Sequence, residues 1–475
     1  MTCLATVAQG GLRPRGDVNC DWTVNIGDVN AIIAAIFDGT PYHSLYTYAY
    51  DINGDHTINI TDLNAVIGAI MGDELPPMPT YSGTLPVMYI NTSGHRDIVS
   101  KEDYLNAQWW IDAMGIDGYQ SIGSAEAPLG MQIKGRGNAT WAFLDKKPYR
   151  IKLNTERPLL GMPSNRHWVL LANAEYWMGQ ANDALPFEIG RRMGMAWNPR
   201  QVPVEVVLNG QYIGMYFLTE KIRVDKDRVN IAKQGDYETD SVRITGGWLL
   251  EIDNYEEAGN ITFVEGNGEP FWVTPQAPEE LSDEQREYIT DFLVNADSAI
   301  YNPDKTSTEW EKYIDIDALA IYYLVQEVID NPEAFSGSCY MYKDRGDSTK
   351  LVFGPFWDCG SSFQRSSSSD YEFDDFIYEN LPEFCRSRWI GEIAQFPRFQ
   401  ECVRKHWQRF YTQVYPTLDP ILNEFAATIE VAGEYDYARW PQFNGNSISM
   451  RIRKGLKPCL RKKVAWLNTQ WGEEQ

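Results

Sequence analysis

The sequence predicts an α+β protein in which a small all-α calcium module precedes a large two-lobed domain, and three observations carry that prediction. Two twelve-residue stretches, "DVNCDWTVNIGD" from Asp17 and "DINGDHTINITD" from Asp51, repeat one oxygen-rich spacing, and each runs straight into an apolar helical pattern. From about Leu85 strand-like runs dominate. After about Leu281 helix-like segments take over, and a sheet-rich half followed by a helix-rich half reads as α+β with two lobes.

A calcium ion takes roughly six to eight hard oxygen ligands, and a twelve-residue loop supplies them from positions 1, 3, 5, 7, 9 and 12. In the first loop these are Asp17, Asn19, Asp21, the Thr23 carbonyl, Asn25 and Asp28. In the second they are Asp51, Asn53, Asp55, the Thr57 carbonyl, Asn59 and Asp62. The helices that follow, "VNAIIAAIF" and "LNAVIGAIM", make each repeat a loop-then-helix half of an EF-hand, and the short Asp at the twelfth position fits. Position 6, ordinarily the glycine of the sharp turn, is Trp22 in one loop and His56 in the other, which predicts weaker binding. Asp- and Asn-rich stretches also form ordinary turns. The complete spacing, repeated at a fixed offset, favours calcium.

At 475 residues the chain has room for a large core and a small appendage. A net charge of −24 argues against nucleic acid or anionic membrane as partner, because phosphate binding needs a clustered basic surface. No run of about eighteen apolar residues exists to span a bilayer. Seven cysteines lie without CxxC spacing, against a zinc ribbon or a dense disulfide scaffold; Cys385 with Cys402, or Cys339 with Cys359, are pairings the sequence leaves open. The opening "MTCLATVAQGG" has the small residues of a cleavage region but no basic n-region and no full apolar stretch, so residues 1–16 are expected to be a signal-peptide remnant. The calcium module is expected at 17–72, a Pro/Gly/Ser-rich linker at 73–84 and the large domain at 85–475. Calcium loops suit the outside of a bacterial cell, so the protein is expected to be secreted or held at the cell surface.

Within the large domain, Asn209-Gly210 between two apolar runs predicts a hairpin with positive φ at both turn positions. A Gly-containing turn, "IKGRGNATW" from Ile133, with Arg136 at its centre, is followed by the basic strand "KKPYRIKL" from Lys146. Backbone amides in such a turn approach phosphates closely, and nearby cations neutralise them. The plainer reading is a hairpin with a solvated basic edge.

The module from Asp17 to about Ile70 resembles a type I dockerin, which implies calcium binding and docking to a cohesin partner. The strings "RGNATW", "KKPYRIKL", "LLGMPSNRHWVLLAN", "ALPFEIGRRMG", "VEVVLNGQYIGMYFLTEKI", "DKDRVNI", "GGWLLEID" and "KLVFGPFWD" occur in one order, and together they resemble the CotH family of spore-coat protein kinases. That resemblance covers nearly all of the large domain. It implies an atypical protein-kinase-like fold that binds ATP and magnesium and phosphorylates Ser or Thr of secreted or coat proteins. Asp358, in "GPFWD", matches the family's metal-holding aspartate. Of Lys147, Arg150 and Lys152, period-two alternation puts the last two on one face, where either suits the α- and β-phosphates. Glu188 is the expected partner of Lys152, and Glu220 beside Lys221 is expected either to line the cleft or to form a surface ion pair worth little.

The chain departs from the family at three places. "DNPEAF" puts Glu333 where the family has the Asp of its catalytic motif, longer by one methylene, and an ångström of misplacement costs about a hundredfold. Cys359-Gly360 replaces Phe-Asp after Asp358, and "WMGQAND" lacks the Arg expected near Asn182, leaving Arg166 or Arg191 to supply charge. Glu333 and Asp358 are therefore the expected catalytic pair, in either a slow kinase or a pseudokinase that serves as a binding module. A dockerin-borne glycoside hydrolase is a third reading, for which the large domain leaves no room.

Overall fold

The computed structural model describes residues 14–19, 21, 23–39, 50–53, 57–75, 80–173, 179–253, 256, 259–363, 372–380, 389–440 and 448–472. Asp55, Trp22, His56 and Cys385 lie outside them. The chain is α+β, with an all-α region at its N-terminus and a larger mixed domain that contains a seven-stranded barrel. Contacts divide it into two compact units, one of residues up to 174, 201–221 and 426–448, the other of 175–200, 222–425 and 449–475.

In the first unit, helices Ile26–Phe37 and Ile60–Ile70 each begin with a capping box, in which an Asn side chain accepts from the first turn and an Asp at N3 reaches back. Their apolar stripes bury Val29, Ile32 and Val66 against Val18 and Ile52 of the two loops. The barrel follows: β1 (Val87–Thr92), β2 (Leu105–Asp112), β3 (Leu129–Gly135), β4 (Tyr149–Leu159), β5 (Met162–Leu171), β6 (Gln201–Leu208) and β7 (Gln211–Glu220). Its order is β1-β2-β3-β4-β5-β7-β6, antiparallel throughout except where β1 and β6 pair in parallel and close it. Closure removes the exposed edges that an open sheet would leave. Alternate residues Met131, Ile133, Tyr149, Ile151, Leu153, Trp168 and Leu170 fill the core.

Asn209 (φ 51°) and Gly210 (φ 76°) make the expected two-residue turn between β6 and β7. The stretch "GRGNATW" ends β3 at Gly135 and then forms a short helix, Ala139–Phe143. A Cβ on Gly135 would lie 2.4 Å from the Trp141 ring, so the indole folds back onto the glycine and breaks the strand.

The second unit carries β8 (Trp248–Ile252), β9 (Ile261–Val264), β10 (Pro270–Ala277), β11 (Cys339–Lys343) and β12 (Val352–Phe353) in the antiparallel order β12-β11-β8-β10-β9. Helix Ile316–Val328 is buried at every residue from Leu319 to Val328, which makes it the unit's central helix. The strands β11 and β12 come after the point where the sequence turns helical. They are five and two residues long, and only their pairing partners distinguish such runs from buried loop. Among the described residues no helix is long and apolar enough to cross a membrane.

Candidate functional site

The central helix of the second unit ends at Val328, and Asp330 (φ 46°) turns the chain into the loop that carries Glu333. Phe335 (φ 65°) and Ser338 (φ 49°) repeat the left-handed geometry there; Asp358 (φ 52°) and Phe363 (φ 57°) repeat it in a second loop. Each such non-glycine residue costs on the order of 1 kcal/mol and persists only where its surroundings hold it. The hold is visible. The Phe363 amide bonds the carbonyls of Ile329 (3.1 Å) and Asp330 (3.2 Å), tying the two loops together.

Glu333 and Asp358 are brought within electrostatic reach of each other. Burial first, and the Asp358 charge second, push the Glu333 carboxyl above its usual range, while the Ser361 hydroxyl opposes them. Asp330, three residues before Glu333, has no exposed surface and lies 3.2 Å from the Lys463 ammonium. It anchors the loop and is not offered to a substrate.

Two residues that sequence reasoning passed over hold the Asp358 loop. Asp183 Oδ1 accepts the Cys359 amide at 2.8 Å, and Asn182 Nδ2 donates to the Gly360 carbonyl (2.6 Å) and the Ser362 carbonyl (3.3 Å). Burial, with the charges of Asp183, Asp358 and Glu333, pushes the Cys359 thiol well up. Three carboxylates therefore act on one buried thiol. The signal was present as Asn-Asp directly ahead of helix Ala184–Arg192, in the stretch that lacks the expected Arg. Cys339, Cys359 and Cys402 are free thiols, so the Cys339–Cys359 pairing is not formed.

Glu188 engages Arg192 (2.7 Å) and Arg191 (2.8 Å) on its own helix, at i+4 and i+3. Arg191 also donates to the Pro199 carbonyl, and Arg166 donates to Leu153, so both of the substitute arginines considered have structural partners.

In the first unit, Arg150 and Lys152 sit on the face of β4 opposite the core residues Tyr149, Ile151 and Leu153, with Lys134 and Gln132 across from them in β3. The Arg150 Nε is buried without a hydrogen-bond partner. Lys147 donates to the Trp141 carbonyl (2.6 Å), and the Arg136 amide donates to Pro148 (3.2 Å). Glu220 is fully buried at the end of β7, opposite Trp168 of β5. The most enclosed cation of the basic segment is its first, Lys146, 2.8 Å from Asp436. Desolvation lowers its pKa and Asp436 resists.

Both calcium-type loops are closed the same way. Asp28 accepts the amides of Val18 (2.6 Å), Asn19 (3.0 Å) and Asn25 (2.8 Å); Asp62 accepts those of Ile52 (2.7 Å), Asn53 (3.2 Å) and Asn59 (2.9 Å). Asp17 and Asp28 are both buried, as are Asp51 and Asp62, so each loop desolvates two carboxylates together. An all-oxygen donor set with paired buried carboxylates suits a hard divalent cation. Asn25 and Asn59 already cap Gly27 and Thr61 at 2.7 Å through their side-chain oxygens.

An all-α module with oxygen-lined loops joined to a mixed domain that contains a seven-stranded barrel defines a modular protein. Residues 133–466 match the CotH kinase protein family, and residues 15–71 match the type I dockerin domain. The chain belongs to the CotH kinase family and carries an N-terminal dockerin. Type I dockerins generally bind calcium and partner cohesin-like proteins. A search of the curated proteins found no match.

Proposed function

We propose that this is an exported, two-lobed atypical protein kinase that phosphorylates Ser or Thr of secreted or surface proteins and is tethered through its dockerin to a cohesin-like partner. The observation that best supports it is the Glu333–Asp358 pair, set on two tied left-handed loops with the Glu333 carboxyl raised. MgATP supplies the transferable phosphoryl group and the charge neutralisation its transfer needs. Asp358, an exposed hard anion, is the residue that holds magnesium. Glu333 orients a substrate hydroxyl and takes its proton, and a raised pKa makes it the stronger base. Asp183 and Asn182 keep the Asp358 loop in place. The nucleotide-binding roles expected of Arg136, Lys147, Arg150, Lys152, Glu188 and Glu220 belong to the same proposal, as do one calcium in each dockerin loop and the boundaries 17–72, 73–84 and 85–475.

A pseudokinase is the second reading. Cys359 and Gly360, where the family pattern has a second acidic residue, are buried and offer no carboxylate. Radiolabelled phosphate transfer from ATP to a generic acceptor, for wild type and Asp358→Ala, tests the first reading; no transfer by wild type with any divalent metal would sink it. Calorimetry with MgATP then separates a nucleotide-binding pseudokinase from a plain scaffold, which shows no heat of binding.

A further inference from the structure

Elsewhere in the second unit, one cluster has the makeup of a metal centre. Cys402 and His406 lie one helical turn apart on helix Pro397–Arg409, and that i, i+4 spacing puts both on one face. Asp317, in the first turn of Ile316–Val328, meets them. Its Oδ1 is 2.7 Å from His406 Nε2 and 3.6 Å from Cys402 Sγ, and all three ligand atoms lie within 4.8 Å of one another.

Tetrahedral zinc, with bonds of about 2.0–2.1 Å to N and O and about 2.3 Å to S, holds neighbouring ligand atoms roughly 3.3–3.6 Å apart. The Cys402–Asp317 separation already fits. The His406–Asp317 hydrogen bond must open by roughly 0.6 Å, a small rotation of an exposed Asp side chain. Cys402 and His406 are buried, whereas the Asp317 side chain is 54% exposed, so one side of the cluster faces water. Lys405 also contacts Asp317 Oδ1, at 3.2 Å, but its side chain is 70% exposed, so water can replace that contact at little cost.

We propose that Asp317, Cys402 and His406 bind a zinc-class transition metal, with water in the fourth position. On binding, the Cys402 thiol proton passes to solvent and the thiolate ligates. Thiolate with imidazole selects zinc or its borderline neighbours over calcium and magnesium, so the centre is chemically distinct from the oxygen sites of the dockerin and of the Glu333–Asp358 pair. Its geometric effect is to clamp the start of the central helix to helix Pro397–Arg409.

The test is a Co²⁺ titration of the full chain in calcium-saturated buffer, read by absorption spectroscopy and repeated as competition with Zn²⁺. One equivalent with a thiolate-to-cobalt charge-transfer band and tetrahedral d–d bands, displaced by Zn²⁺, is expected. Cys402→Ser should abolish the charge-transfer band, and His406→Gln should weaken binding more than about tenfold. A wild-type titration without the thiolate band, or an unchanged band in Cys402→Ser, overturns the proposal. Because the wild-type spectrum decides the first point, a variant that fails to fold does not rescue it.

Discussion

The Lys463 ammonium lies 3.2 Å from a Glu327 carboxylate oxygen and 3.2 Å from an Asp330 oxygen, and none of the three side chains has exposed surface. This triad joins helix Lys457–Trp471 to the end of the central helix, where the Glu333 loop departs. Removing one member leaves an uncompensated buried charge, at a cost of about 3–5 kcal/mol. Lys463→Met is therefore expected to lower stability by about that amount in chemical denaturation. A loss below about 1 kcal/mol would show that the triad does not hold the loop.

The same triad gives stability a pH dependence. Burial raises the Glu327 carboxyl from 4.5 to about 7, against the pull of Lys463, Tyr323 and the Ile377 amide. Between those values the folded chain binds a proton that the unfolded chain has released. The group's contribution is thus fully present below the unfolded value and is lost as pH rises through about 7. Urea midpoints measured across that window should fall with pH in wild type and fall less in Glu327→Gln; parallel profiles would contradict the assignment.

Asp358→Asn removes the like charge beside Glu333. The Glu333 carboxyl pKa should then move down toward its ordinary value, because one of its two raising causes is gone while burial remains. A carbon-detected NMR titration of labelled Glu reads this directly, without requiring activity. An unmoved Glu333 would mean that the two carboxylates do not sense each other.

Calcium should stabilise the dockerin, since each loop otherwise leaves two carboxylates desolvated together. At about a hundred times Kd, one bound ion adds about 2.7 kcal/mol. Chelation is expected to lower the helical signal of an isolated 15–71 fragment, and Asp28→Ala should cut calorimetric stoichiometry from two ions to one. Two ions retained in that variant would count against Asp28 as a ligand.

Gly214 carries φ 103°, and a Cβ there would lie 2.2 Å from Asp436 Oδ1, the carboxylate that holds Lys146 and the Met215 amide. Gly214→Ala is expected to destabilise the barrel by about 2 kcal/mol or more in thermal or urea unfolding, from backbone strain plus displacement of a buried ion pair. Gly210→Ala, with φ 76° and a turn known to tolerate such geometry, should cost only about 1 kcal/mol. Equal costs would show that Asp436 yields without penalty.

How far the sequence was legible follows the range of each interaction. The loop-helix repeats were readable because Asp28 and Asp62 close loops within a dozen residues of themselves, and the β6–β7 turn because Asn209-Gly210 sets its own φ values. The strand β11 was not readable, since five residues become a strand only beside β8 and β12. Among the cations, the sequence pointed to Lys147, Arg150 and Lys152 and passed over Lys146, whose partner Asp436 is 290 residues away.

The sequence by itself therefore determined the two repeated oxygen-rich loops, the order of the modules, the family and the presence of carboxylates at Glu333 and Asp358. Those are matters of local spacing and of residue type. Only the tertiary structure decided that Glu333 and Asp358 share a field, that Asp330 is locked to Lys463, and that Asp183 and Asn182 hold the Asp358 loop. Burial and charge pairing act through space, between residues that the chain keeps far apart until it folds.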